Sequence, residues 1–308
     1  MGRKRRGKPI HGWMVIDKPG TMSSNAVVGA VRRLTGAAKV GHGGTLDPLA
    51  TGLLPIALGE ATKTVSYAMD GTKVYRFSIR WGEQRATDDT EGDVTAKSDV
   101  RPNEAAIHAA LKKFIGTIDQ VPPIYSAIKV NGQRAYALAR ADKPVELESR
   151  QIRIDNFELV GMPDSDHAEF EVVSGKGAYM RGLARDLALA VGTVGHIATL
   201  RRIRVGPFTE EHAISLEKLE SLGHSAPLVD FLLPVQTALA DIPAFALTET
   251  EAQRIRQGQA IAVLPVASRS PSEKVIQGSV VCAMADGKPV ALAIIMGGEI
   301  RPQRVLNL

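Results

Sequence analysis

Apolar and polar residues alternate most regularly at residues 74–81, VYRFSIRW. There Tyr75, Phe77, Ile79 and Trp81 fall on one face and Arg76, Ser78 and Arg80 on the other. A period of two predicts a strand with one covered face. Apolar runs in WMVID (13–17) and LLPIALG (53–59) predict further strands, as do AEFEVVS (168–174) and LRRIRVG (200–206). The spacing of Val27, Val28, Val31 and Leu34 predicts a helix, capped by Ser23 or Ser24 and stopped by Gly36. Residues 104–115 predict another helix, and Arg181 to Val191 an amphipathic one. IYSAIKVNGQRAYALARA (124–141) reads as a strand, a turn at Asn131-Gly132 and a helix from about Ala135.

Near residue 240 the pattern changes. ADIPAFALTETEAQRIRQG (240–258) reads as a proline-containing linker, a capping box of Thr248 with Glu251, and a helix stopped at Gly258. Short strands follow in SVVCAMADGKPVALAIIM (279–296), with a hairpin turn at Asp286-Gly287, and in RPQRVLNL (301–308). SRSPSEK (268–274) reads as a flexible loop. The expected organisation is a basic arm at 1–9, a main domain at 10–240 and a small β-rich domain at 244–308. No repeat of solenoid period is present.

Length and composition fit this division: 308 residues, 44% of them hydrophobic, support a main core and an accessory one. The single cysteine, Cys282, has no partner for a disulfide or a zinc site, which points to a reducing compartment. No apolar run approaches the roughly 18 residues of a membrane span. After the basic start, Asp17 and Lys18 break the apolar run that a signal peptide needs. The net charge of +5 is carried by residues 1–8, so the remainder is neutral overall but segregated. Residues 175–206 hold Lys176, Arg181, Arg185, Arg201, Arg202 and Arg204 against Asp186 alone, whereas residues 83–104 hold seven acids against three bases. A basic arm plus a basic segment suggests a polyanion such as nucleic acid, although a solvated tail and surface helices produce the same counts.

Common catalytic patterns are absent. The chain has no G-x-x-x-x-G-K-[ST], no G-x-S-x-G, no G-x-G-x-x-G between strand and helix, and no H-x-x-x-H or H-E-x-x-H. What remains is GHGGTLDPLATG (41–52). On local signals alone Asp47 followed by Pro48 is the pair expected at a helix N-cap and first turn. His42 reads as a loop residue, Tyr75 as core, and Arg181 as a surface or phosphate contact.

The longer stretch GHGGTLDPLATGLLPIALGEATK resembles the catalytic motif of the TruB family of tRNA pseudouridine synthases. DKPGTMSSNAVVGAVRR is similar to that family's N-terminal Lys-Pro motif, and VPPIYSAIKVNGQRAYALAR to its RNA-gripping insertion, placed at about 122–152. SGKGAYMRGLARDL is similar to its arginine motif and GHIATLRRIRVGPF to its leucine motif. The five stand in the family's order over about residues 12–208. The end of the chain resembles a PUA-like RNA-binding domain more weakly. The resemblance implies an α+β catalytic domain on a mixed sheet, and conversion of uridine to pseudouridine at position 55 of the tRNA T-loop. It implies no cofactor and no metal.

Carried over by residue, the resemblance makes Asp47 the catalytic carboxylate, acting on base or ribose. Arg181 is its cation, able to meet a carboxylate at two points. Tyr75 stacks on the flipped uracil and assists proton movement. His42 holds the T-loop open, Tyr179 and Leu200 surround the base, and Lys18 with Pro19 supports the loop. The expected partner is the tRNA T-arm, with no membrane, in the cytoplasm, and the protein a monomer. Two positions depart from the family, which often has Thr at Gly43 and at Ala178. Two alternatives remain at this stage. One is a catalytically silent tRNA-binding protein or folding chaperone, against which the trio Asp47, Tyr75 and Arg181 argues. The other is a snoRNA-guided synthase, whose usual lysine-rich extensions are lacking apart from the short arm at 1–8.

Overall fold

The structure is a computed structural model that describes residues 7–126, 128–130, 133–134, 138, 141, 147–222, 228–270 and 276–308. Arg3, Lys4, Arg5 and Arg6 of the arm, the Asn131-Gly132 turn, Ala135 and residues 271–274 lie outside the described residues. The chain begins β1 (Gly12–Lys18), α1 (Ser24–Thr35), β2 (Val40–His42), β3 (Thr51–Leu58), α2 (Val65–Asp70) and β4 (Lys73–Trp81). A ribbon of β5 (Glu83–Arg85) and β6 (Val94–Lys97) precedes α3 (Glu104–Leu111) and β7 (Gly116–Gln120). The pair β8 (Lys129–Val130) and β9 (Gln133–Arg134) is followed by β10 (Arg150–Asp164), β11 (His167–Ser174), α4 (Met180–Ala190) and β12 (Gly195–Val205). Then come β13 (Phe208–Thr209), β14 (Ala213–Ser215) and α5 (Leu216–Leu222).

Among the described residues these strands form one mixed sheet in the order β14-β1-β3-β12-β4-β11-β10-β7, with β2 on β3 and β13 on β12. The pairs β1–β14 and β12–β3 are parallel and the others antiparallel. The hydrophobic pattern follows from what covers each strand. In β1, Met14 and Ile16 join the main core beneath α1, while Trp13 and Val15 join a second cluster with Phe208, Val235 and Leu306 on the opposite face. Both faces are dry, so the sequence runs apolar without alternation. In β4 and β11 one face carries Phe77, Ile79, Phe170 and Val172 into the core. The other face carries Arg76 and Glu171, paired at 2.7 Å, so the pattern alternates. Helix α1 begins at Ser23, whose side chain accepts from the Ala26 amide, and ends at Gly36 in the left-handed region. Ser24 is therefore free for another task.

The second unit is β15 (Ala244–Ala246), α6 (Glu249–Arg256), β16 (Ile261–Ala262), α7 (Val263–Ala267), β17 (Val280–Ala285), β18 (Lys288–Met296) and β19 (Glu299–Val305). Its strands form a separate sheet, β15-β17-β18-β19-β16, around a core of its own that includes Phe245, Ile255, Val281 and Ile295. The Thr248–Glu251 capping box is formed, and Asp286 and Gly287 take the positive φ angles of a tight hairpin turn. The linker expected through residue 247 is shorter than the sequence suggests. Residues 244–246 pair in parallel with β17, and Phe245 is fully buried. Of the SRSPSEK stretch, Ser270 is anchored: its hydroxyl accepts from the Ala246 amide and donates to Val266.

The two units are packed together. Leu239 meets Cys282 and Leu292, Lys63 donates to the Val305 carbonyl at 2.7 Å, and Leu306 enters the Trp13 cluster. No helix among the described residues is long and apolar enough to cross a membrane. Both tryptophans, Trp13 and Trp81, lie in the first unit, so their fluorescence follows the unfolding of that unit. We expect Leu306→Ala to lower the stability of the tryptophan-reported urea transition by about 2–5 kcal/mol, the range for a buried Leu truncation. An unchanged transition would show that the C-terminal residues do not support the first unit.

Candidate active site

The loop from His42 to Gly52 crosses the end of the sheet, and three side chains from distant elements hold it by its backbone. Arg202, on β12, is fully buried and donates to the carbonyls of Leu53 (2.9 Å), Thr45 (3.2 Å) and Gly44 (3.1 Å). Lys18, at the end of β1, is also fully buried and donates to the carbonyls of Pro48, Pro19 and Met22. Ser24 donates to the Leu46 carbonyl and accepts from the Leu46 amide. These bonds bracket Asp47 on both sides. Burial, assisted by Arg202 and opposed by Asp47, brings the Lys18 ammonium down to about 8.

Asp47 caps no helix. Residues 48–50 form a turn, closed by the Ala50 amide donating to the Asp47 carbonyl at 3.1 Å, and β3 follows at Thr51. The carboxylate instead receives Arg181 Nε at 2.9 Å, from the first turn of α4. Arg181 is nearly buried, and its contact with Asp47 is through one nitrogen, not the two-point pair that the resemblance allowed. Its other nitrogens are engaged: Nη1 donates to Thr87 O and Nη2 to Tyr125 O, each at 2.9 Å, with Asp89 at 3.5 Å from Nη1. One guanidinium thus stands between two carboxylates and is fixed by backbone on both sides.

Asp47 lies on the walls of two neighbouring cavities. The first, of about 280 Å³, is lined by Asp47, Tyr75, Tyr179 and Leu200, with Lys73, Arg150, Lys176 and Arg202 as its cations. Among the described residues Asp47 is the only acid in that lining. Tyr75 reaches it from β4 and Leu200 from the paired position region of β12, where Leu200 faces Phe77 and Arg202 faces Tyr75. Tyr179 is fixed at the entry to α4: the buried Gln120 amide donates to its carbonyl (3.0 Å) and accepts from its N–H (2.9 Å). The Arg150 guanidinium lies 4.8 Å from the Tyr179 ring centre. The second cavity, of about 470 Å³, is lined by His42, Asn25, Asp89, Tyr125, Ser126 and Arg181 together with Asp47. His42 accepts from the Gly44 amide through Nδ1, and burial followed by Arg202 lowers its pKa, so its imidazole is kept neutral.

The structure therefore gathers Asp47, Tyr75, Tyr179 and Leu200 at one cavity. Arg181 and His42 stand at the adjoining one, and Lys18 lies beneath the loop without reaching either lining. Sequence reasoning passed over Lys73, Gln120 and Arg150, and it counted Arg202 only as charge. The departure at Gly43 has a packing cause: a Cβ there would come within 3.1 Å of the Trp13 ring and 3.2 Å of Ala68. Ala178 lies in the first cavity's wall. The basic segment 175–206 also reads differently in three dimensions. Arg181 and Arg185 meet Asp89 and Asp88, Arg201 is held by Asp17 and Glu210, and Arg202 is buried. Most of that charge is spent inside the fold rather than offered to a polyanion.

A chain of a crystal structure described as a Cbf5–Nop10–Gar1 complex superposes with a TM-score of 0.76 at 25% identity, covering 96% of this chain and 84% of that one. That likeness places the fold among the pseudouridine synthases. The TruB family pseudouridylate synthase N-terminal domain matches residues 32–180, and the tRNA pseudouridylate synthase B C-terminal domain matches residues 181–240. The chain is 60% identical to tRNA pseudouridine synthase B of Rhodospirillum rubrum and 50% identical to that of Caulobacter vibrioides, over the whole length of all three. The chain belongs to the TruB family of pseudouridine synthases.

Arg202→Met removes the guanidinium bonds to the carbonyls of Leu53, Thr45 and Gly44, and a buried carbonyl left unpaired costs about 1–3 kcal/mol. We expect a clear loss of stability in urea and faster hydrogen exchange at the amides of residues 41–52. Unchanged exchange in that loop would show that Arg202 does not hold it.

Proposed function

We propose that the protein isomerises uridine to pseudouridine in tRNA, at position 55 of the T-loop, with Asp47 as the carboxylate that acts on the nucleotide. The observation that carries this reading is the Asp47–Arg181 contact beside a cation-lined cavity walled by Tyr75. The names of the curated relatives support tRNA as the substrate. An aspartate set in a cavity wall cannot reach a base inside a stacked loop, so the nucleotide must swing out to it.

In this reading the C1′–N1 bond breaks, the base turns, and C1′ rejoins at C5. The C5 proton leaves and N1 gains one, so nothing is oxidised and nothing is added. Arg181 holds the Asp47 carboxylate in place. Its other donors are fixed on Thr87 and Tyr125, so the guanidinium is oriented before substrate arrives. Tyr75 stacks on the uracil and assists proton transfer at C5, with Tyr179 and Leu200 closing the pocket. His42, neutral and planar, stands in the neighbouring cavity to hold the loop open after the nucleotide leaves it. Lys18 acts through the loop backbone. The second unit is a PUA-like RNA contact, and the arm at 1–9 adds phosphate contacts. We take the protein to be a cytoplasmic monomer, the compartment supported by the lone cysteine.

Asp47→Asn tests the reading on an isolated T-arm stem-loop. The variant is expected to melt close to the wild type, to bind the RNA, and to form no detectable pseudouridine in a single turnover with excess protein. Retained isomerisation would remove Asp47 from the chemistry, and pseudouridine mapped elsewhere in the wild-type reaction would overturn the site. Arg181→Lys is expected to lower the single-turnover rate by about 100-fold or more, the scale for losing one preorganised electrostatic group. A flexible ammonium cannot reach Asp47, Thr87 and Tyr125 from one position. A rate near the wild type would reduce Arg181 to a general basic contact.

A further inference from the structure

Lys73 opens β4 two residues before Tyr75, so both side chains leave the same face of the strand, and both line the first cavity. Lys73 is 6% exposed, yet no carboxylate lies within ion-pair distance of it among the described residues. Its ammonium donates to the carbonyls of Met69 and Gly71. An ammonium has three protons to donate, so one is left for the cavity. Directly across the β4–β11 pair stands Ser174, which is 1% exposed and whose hydroxyl has no partner among the described residues. Its neighbours Gly175 and Lys176 line the same cavity. Lys73 thus lines the cavity with a donor unspent, beside a buried hydroxyl that is itself unpartnered, and Asp47 is the one acid of that lining among the described residues.

We infer that Lys73 is a further catalytic residue: its free N–H donates to a carbonyl oxygen of the uracil and stabilises the negative charge that the base acquires when it leaves the sugar. This rests on the function proposed above. When the C1′–N1 bond breaks, its electron pair goes with the base, and the charge spreads over the ring nitrogens, O2 and O4. C1′ is left electron-deficient, and the Asp47 carboxylate compensates it until C5 attacks and takes its place. Lys73 keeps its proton throughout and supplies a hydrogen bond that is stronger to the anion than to neutral uracil, so it favours the transition state over the ground state. C5 then attacks C1′, the C5 proton is lost, and N1 is protonated, which completes the isomerisation without an outside reactant. Burial, with Arg202 and Lys176 adding to it and Asp70 opposing, lowers the Lys73 pKa to about 8. That leaves it charged at neutral pH but a more acidic, stronger donor than a solvated lysine. Arg202 lines the cavity too, yet its donors are held by the Leu53, Thr45 and Gly44 carbonyls.

The rival role for Lys73 is purely structural, bracing the turn between α2 and β4, and leaving-group chemistry separates the two. Two T-arm stem-loops are compared in single turnover, one with uridine and one with 5-fluorouridine at the modified position. Consumption of that nucleoside is read by mass spectrometry after digestion. Fluorine withdraws electron density and makes the base a better leaving group, so it needs less help from a donor. Lys73→Gln is expected to slow the uridine substrate by about 100-fold, with the loss at least about tenfold smaller on 5-fluorouridine. Lys73→Arg, which restores a cationic donor, should recover most of the rate. Equal losses on both RNAs, no loss, no activity on either, or Lys73→Arg as slow as Lys73→Gln would each overturn the inference. Partial unfolding lowers both rates by one factor and leaves their ratio intact. Failure of the wider proposal reads differently: the wild-type chain would then leave the uridine T-arm unmodified, or Asp47→Asn would retain activity.

Discussion

The site depends on a loop whose backbone is held by buried cations. Arg202 and Lys18 are both fully buried, and both spend their donors on carbonyl oxygens of the loop and its flanks rather than on carboxylates. Taking a charge out of water is costly unless its donors are satisfied, and here the satisfying groups belong to the loop that carries Asp47. The loop cannot relax away without leaving a buried ammonium or guanidinium unpaired. The same arrangement sets the local field. Three cations, Lys18, Arg181 and Arg202, surround one carboxylate loop, and basic groups around it are pushed towards their neutral forms: Lys18, Lys73 and His42 are all lowered, each by burial first, with Arg202 adding to it.

This field also explains the charge pattern of the sequence. The acidic stretch at 83–104 and the basic stretch at 175–206 are far apart along the chain. The fold lays them against each other: Arg185 meets Asp88 at 3.1 Å, Arg181 approaches Asp89, and His196 bonds the Glu83 carbonyl. Segregated charge in a sequence can therefore mark two segments that pair in the fold as readily as a surface for a polyanion. The cations that remain for a ligand are fewer and more local: Lys73, Arg150 and Lys176 around the first cavity, with Lys176 reaching Asp70 at 2.6 Å on its exposed side.

Much of the fold was legible where local pattern and tertiary environment agree. Strands β1, β3, β4, β11 and β12, helices α1, α3 and α4, and the Asp286-Gly287 hairpin all follow from periodicity and turn chemistry. The longest strand, β10, was missed for a physical reason. Ile152 and Ile154 keep a period of two, but a bulge between Ile154 and Asn156 shifts the next core residue to Phe157. A bulge inserts one residue and breaks the alternation on which the reading relies. Strand β12 hides a similar ambiguity. Arg201 and Arg202 are adjacent and chemically identical, yet one is partly exposed between Asp17 and Glu210 and the other is fully buried. Register shifts on both sides of Leu200 and Arg202 remove the local cue to which one points inward.

Asp47 shows the limit of local reasoning most directly. Asp before Pro is a sound signal for a helix cap, and the backbone does turn there, with the Ala50 amide bonded to the Asp47 carbonyl. What decides the side chain is Arg181, 134 residues further along, which no window on the loop contains. The family resemblance supplied that partner as a correspondence; the physical reason comes from the fold. Helix α4 starts where Gln120 grips Tyr179 by both its amide and its carbonyl, and so Arg181 is delivered to Asp47 with its remaining donors already matched to Thr87 and Tyr125. The same logic accounts for Gly43. Its bare backbone lies against Trp13, whose ring belongs to the cluster that Leu306 of the second unit completes. Packing between the two units is thereby connected to the loop that bears Asp47, through one ring and one missing side chain.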